Sequence, residues 1–132
     1  MKVEPAAPDL LAIARTTILE QIAPALPEPQ RYAALMAANA LAIAGRDLAA
    51  PASAAAEIAR IASLLPGWIP PPGDEAGALR EGTARLAAAI RQGRYDEGEA
   101  RSRLLEHLRE TTRARLAVSN PRALAREPGK TP

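Results

Sequence analysis

The amino-acid sequence predicts an all-α fold, and three observations carry that expectation. Alanine occurs 32 times in 132 residues, valine twice and phenylalanine not at all, so helix formers dominate and strand formers are scarce. Apolar residues recur at three- and four-residue steps, and no stretch alternates with a period of two. The 13 prolines fall mostly between the periodic segments, where they end one helix and precede the next. The expected architecture is about five helices in an up-and-down bundle with a proline-rich loop. It comprises an N-terminal extension over 1–8, a single helical domain over 9–120 and a C-terminal tail over 121–132.

The first helix opens at Pro8-Asp9, with Asp9 as its cap, and ends near Ala23-Pro24. Leu10, Ile13 and Thr17 form its inward stripe, widened by Leu11, Ile18 and Ile22. Pro24, Pro27 and Pro29 make a stiff connector, and Pro29 also suits the first turn of the next helix. That second helix, Gln30 to Ala50, carries Tyr32, Leu35, Met36, Asn39, Ile43 and Arg46 along one side. It is apolar around most of its circumference, which predicts a central position. Gly45, costly inside a helix, predicts a close contact or a local bend.

A third helix, about Ala52 to Leu65, turns Ile58, Ile61 and Leu65 inward. Residues 64–73 form the main loop, pinned to the bundle by Trp68 and Ile69. The fourth helix runs from about Asp74 to Gln92 with Leu79, Leu86 and Ile90 inward. Asp96 and Glu99 look like a capping box opening the fifth. Its expected buried face is Leu104, Leu105, Leu108, Thr112, Leu116 and Val118. Asn120-Pro121 stops it, asparagine tolerating a left-handed cap and proline being unable to continue.

Most catalytic chemistry is excluded. There is no cysteine, and the single histidine rules out a multi-histidine metal site within one chain. No Gly-Lys-Ser or Gly-Lys-Thr phosphate loop occurs. His107 sits among Arg103, Glu106, Glu110 and Thr111 and reads as an exposed surface side chain, not a general base. Glu106 and Glu110 share a helix face, but the neighbouring arginines make them ordinary surface ion-pair partners. The expectation is therefore no enzyme, no catalytic residue, no metal and no cofactor. A formal charge of only +2 and scarce aromatics argue against a nucleic-acid partner. No secretory apolar region and no long uninterrupted apolar run are present, so the expected protein is cytoplasmic with no membrane association.

Two features invite recognition. Asn39 and Arg46 are seven residues apart on an otherwise apolar helix face. They either bond neighbouring helix ends or form a polar recognition point in a groove. Arg109, Arg113 and Arg122 near the end of the fifth helix can present a guanidinium row to an anion, with Arg115 nearer the apolar face. The same cations also suit a helix C-terminus.

At these two places the chain resembles a known family. Ala37-Ala38-Asn39-Ala40-Leu41-Ala42-Ile43-Ala44-Gly45-Arg46-Asp47-Leu48, and then Leu108 to Arg122, are similar to one small bacterial domain-of-unknown-function family. Its genes commonly lie beside an aminoglycoside-phosphotransferase-like kinase and an acyl-CoA dehydrogenase. The similarity covers about Asp9 to Leu124, and Asn39, Gly45, Arg46, Asn120, Pro121 and Arg122 match its pattern. The resemblance implies a non-catalytic accessory or regulatory subunit of a phosphotransferase-like kinase in acyl-CoA (hydroxyacyl-CoA) metabolism. The alternative is a small-molecule binding module for an anionic ligand such as a CoA phosphate. The candidate partner- or ligand-binding residues are Asn39, Arg46, Trp68, Arg109, Arg113, Arg115, Asn120 and Arg122.

Overall fold

The computed structural model describes residues 4–50 and 54–126. The fold is all-α, with no strand among the described residues. The helices are α1 (Ala7–Thr17), α2 (Gln30–Ala49), α3 (Ala54–Leu64), α4 (Glu75–Arg91), α5 (Gly98–Ser119) and the short α6 (Pro121–Leu124). Their contacts group the chain into two compact units, Met1–Ala50 with Leu116–Pro132, and Pro51–Arg115.

In the first unit, Pro8 lies in the opening turn of α1, where its missing N–H leaves no hydrogen bond unmade. Asp9 is not the cap residue. It is the third residue of the helix, and its carboxylate reaches back to accept from the Ala6 N–H at 3.2 Å. Beyond Thr17 the chain stays helical through a π-type turn at Ile18–Ile22 and a 3₁₀ turn at Ala23–Ala25, so Pro24 does not break it. Arg31, at the start of α2, ties the connector down by donating to the Ala23 carbonyl at 3.3 Å and the Leu26 carbonyl at 3.0 Å. Arg31 meets the end of the first helical segment, while Gly45, late in α2, faces Leu11, early in α1. The two helices therefore run antiparallel.

Gly45 does not mark a forbidden approach. A Cβ added to it would stand 3.9 Å from the Leu11 Cβ, an ordinary contact. Gly45→Ala should therefore raise stability by about 0.5–1 kcal/mol, by helix propensity alone. Thermal unfolding of the variant beside the natural chain checks this, and a lower midpoint would show a hidden packing role.

The second helix is mostly exposed. The only α2 residue that is buried is Ala38, while Tyr32 is 66% exposed and Leu35, Met36 and Leu48 are exposed too. Leu10, Ile13 and Ile22 of the expected inward stripe of α1 are likewise exposed. Asn120 has φ −152°, extended and not left-handed, and it precedes α6, which lies inside the segment read as a tail.

In the second unit the expected face of α3 is correct. Ile58, Ile61 and Leu65 are buried, with Leu64 beside them. The expected start at Ala52 lies outside the described residues. The core joins Ile61, Leu64, Leu65, Leu86, Ala89, Tyr95 and Leu104. Tyr95 donates its hydroxyl to the Leu64 carbonyl at the end of α3. Asp74 caps α4, accepting from the Gly77 N–H at 2.8 Å. Gly82 has a packing reason, since a Cβ there would lie 2.6 Å from the Trp68 ring and 3.0 Å from Ile61. Trp68 packs against the core as expected, but Ile69 is 85% exposed and pins nothing. Ile90 is also exposed, because Ala89 takes the inward position.

Helix α5 begins at Gly98, after Asp96-Glu97, and its buried residues are Leu104, His107 and Thr111. Leu105, Leu108 and Thr112, expected to be inward, are exposed. The face is turned by about a quarter of the circumference from the one that leucine spacing selects. Ser63 meets Arg103 and Glu57 meets Arg115, so α3 and α5 run antiparallel.

Candidate functional site

Three surfaces bear on function, one in the first unit and two in the second. In the first, Tyr32, Leu35, Met36 and Asn39 follow the i, i+3, i+4, i+7 spacing of one helical face, and all four are exposed. Ile43 and Arg46 continue the same stripe but are half-buried. Arg46 donates through Nε to the Val118 carbonyl at 2.7 Å. Val118 belongs to the last turn of α5, whose carbonyls have no partner within the helix. The guanidinium thus satisfies a helix end and opposes its negative dipole pole. Asn39 and Arg46 share a stripe but not an environment. Asn120 and Arg122, exposed at the start of α6, are in this unit too.

Large side chains are scarce inside this unit. Among its described residues the buried apolar ones are Ala23 and Ala38. Burying two alanines removes little apolar area from water, while several leucine-sized side chains remain wet.

The second surface is a groove of about 560 Å³ between the loop and α4. Trp68 forms one wall, with Glu81, Arg85, Gln92 and Arg94 among the polar residues around it. Glu81 and Arg85 pair with each other at 2.9 Å, so their charges are mutually engaged. The indole Nε1 of Trp68 is buried without a hydrogen-bond partner.

The third surface lies where α3 faces α5. Arg109 and Arg113 are exposed one turn apart on α5. Arg115 is exposed as well and pairs with Glu57 of α3 at 3.5 Å. His107 is the main correction to the sequence reading, being only 6% exposed. Its Nδ1 and the Nε of Arg60 are buried without hydrogen-bond partners. Arg109 and Arg113 of the expected row lie in this unit. Arg115 is engaged with Glu57, and Arg122 belongs to the other compact unit. Sequence reasoning missed His107 and Arg60. The available signal was the helical i, i+3, i+7 spacing of Leu104, His107 and Thr111, which the neighbouring leucines outweigh.

Burial holds the His107 imidazole below its ordinary pKa of 6.5, and the Arg60 guanidinium pushes the same way. Glu57 opposes this and Arg115 adds to it weakly. The folded chain therefore takes up this proton less readily than the unfolded chain. The contribution is fully present above pH 6.5 and is lost as pH falls through the lowered folded value. Urea unfolding between neutral pH and the onset of carboxylate titration should show the natural chain losing stability faster than His107→Gln. Parallel pH profiles would contradict this.

Among the described residues no group of three or more acidic, histidine or cysteine side chains gathers to hold a metal ion. No single helix among them is long and apolar enough to cross a membrane. The model of one family, a domain of unknown function designated DUF6285, matches residues 24–123. The chain belongs to that family. The match takes in α2 to α5 and most of α6, hence the α2 stripe, the Trp68 groove and the His107 cluster of this DUF6285 domain. No curated protein and no solved structure matches the chain.

Proposed function

We propose that this DUF6285 domain is a non-catalytic accessory or regulatory subunit that binds a phosphotransferase-like kinase of acyl-CoA (hydroxyacyl-CoA) metabolism. The observation that supports binding is the imbalance in the first unit. It buries Ala23 and Ala38 and leaves Tyr32, Leu35 and Met36 exposed on one face of α2. Exposed apolar side chains grouped on one face favour a protein partner over solvent. The kinase comes from the family's gene context, which the sequence resemblance implies. A stable interface needs on the order of 1,200–2,000 Å² in total, more than the α2 stripe alone supplies. The exposed Leu10 and Ile13 of α1 offer further apolar area in the same unit.

Co-expression with the kinase-like protein, followed by size-exclusion chromatography, tests the reading. The two should co-elute, and Leu35→Asp combined with Met36→Asp should separate them while leaving helicity unchanged, because both side chains are exposed. The purified domain alone should show no ATP hydrolysis. Separate elution at micromolar concentration, with kinase activity the same in either case, would remove the accessory-subunit reading.

A further inference from the structure

We propose that the open side of the α1–α2 hairpin is a self-association surface, covered by the same side of a second copy of this chain to make a four-helix arrangement. This surface is distinct from the α2 face proposed for the kinase. Gly45 faces Leu11 and Ala38 is buried, which fixes the side of α2 turned to α1. At about 100° per residue, Tyr32, Leu35, Asn39 and Arg46 lie about 120° from that side in one sense of rotation. Ala33, Ala37, Ala40 and Ala44 lie about 100° from it in the other sense. All four are exposed, and Leu48, which borders them, is exposed too. On α1, Leu10 stands about 100° from Leu11 and is 54% exposed. Because the two helices are antiparallel, that step carries Leu10 to the same side of the hairpin as the alanines.

Three features select a second copy as the occupant. The first is charge. Of the three charged residues of α2, Arg31 is tied to the connector and Arg46 to the Val118 carbonyl. The third, Asp47, lies near the end of the helix. When two α2 helices pair antiparallel about the middle of the face, the two Asp47 carboxylates fall about 25 Å apart, well beyond the screening length of about 8 Å. Like charges therefore do not oppose the pairing.

The second feature is symmetry. The steps between the four alanines are four, three and four residues, the same from either end. An antiparallel copy then sets Ala37 against Ala40 of the second copy and Ala33 against its Ala44, as an isologous contact requires. The third is area. The helical run Ala7–Ala25 and α2 each extend close to 30 Å, and two neighbouring helices are about 20 Å wide. Their open side covers on the order of 600 Å² in each copy, and the pair reaches the lower bound of about 1,200 Å² for a stable interface. Pairing would also supply the apolar burial that this unit lacks, since its described buried apolar residues are Ala23 and Ala38.

Sedimentation equilibrium of the full chain alone, without any kinase, tests this. The mass should rise with concentration through the micromolar range toward twice that of one chain. Ala40→Glu should weaken the dimer about tenfold or more, because each copy then buries a carboxylate. Helicity should be unchanged, since Ala40 is exposed and glutamate is a good helix former. Ala37→Lys should weaken the dimer likewise, so the result does not depend on one variant. Mixing the Ala40→Glu and Ala37→Lys chains should restore a mixed dimer, because opposite charges then face each other. Leu35→Asp, on the other side of α2, should leave the dimer intact. A single-chain mass throughout the range, undiminished association in Ala40→Glu, no mixed dimer from the two charged variants, or loss of the dimer in Leu35→Asp would each overturn the proposal. None of these outcomes bears on kinase binding.

Discussion

Ile61→Ala should lower the stability of the second unit by about 2–5 kcal/mol, toward the upper end of that range. Ile61 is only 1% exposed and is the largest fully buried side chain among the described residues. It joins the core shared by α3, α4 and α5 and stands behind the Gly82 notch in which Trp68 rests. Truncation removes buried apolar surface and leaves a cavity. The surroundings cannot collapse freely into it, because Gly82 offers no side chain and the Trp68 ring is already against that helix. A unit this small holds only a few kcal/mol in total, so the loss should unfold a large fraction of it at 37 °C. Trp68 is the only tryptophan and belongs to this unit, so its fluorescence reports the transition directly in urea. Ile61→Val should cost only about 0.5–1.5 kcal/mol, because it removes a single methyl. An unchanged midpoint for the alanine variant would mean that the packing of α3 on α4 is not what holds the unit together.

The fold class was legible because it depends on local chemistry. Alanine-rich segments between prolines have few alternatives to helix, and Ile58, Ile61 and Leu65 mark the inner face of α3 by spacing alone. Helix phase on α5 was not legible. Leu105 and Leu108 compete with His107 and Thr111 for the interior, and hydropathy favours the leucines. What decides the outcome is tertiary. Leu104 joins the core, and His107 faces the pocket that it shares with Arg60 of α3.

The α2 stripe shows a second limit. An apolar face at i, i+3 and i+4 is the same signal whether the same chain covers it or leaves it open. Tyr32, Leu35 and Met36 read as core for that reason, and they are exposed. Arg46 was legible as a residue in need of partners, but whether it served structure or recognition needed the position of Val118, which lies 72 residues away.

Arg46→Met should cost about 1.5–3 kcal/mol, the value of a hydrogen bond made by a charged group. Methionine keeps much of the apolar stem of arginine and loses only the guanidinium, so the variant isolates the bond to the Val118 carbonyl at 2.7 Å. That carbonyl lies in the last turn of α5, where the helix supplies no N–H of its own, and Asn120 already takes the Leu116 carbonyl at 2.8 Å. Pro121, just beyond the helix, has no N–H with which to replace the lost donor. The damage should also be local. Amide protection should fall over Leu116–Leu124 and along α2 near Ile43, while the core around Ile61 keeps its own unfolding midpoint by Trp68 fluorescence. Arg46→Lys should rescue little, since a shorter and more strongly hydrated ammonium does not reproduce the Nε geometry. A full rescue by lysine would show that charge at the helix end matters more than the directed bond. If the proposed kinase binding were lost in Arg46→Met with unchanged amide protection, Arg46 would move from the structural role to the proposed recognition surface of Tyr32, Leu35, Met36 and Asn39.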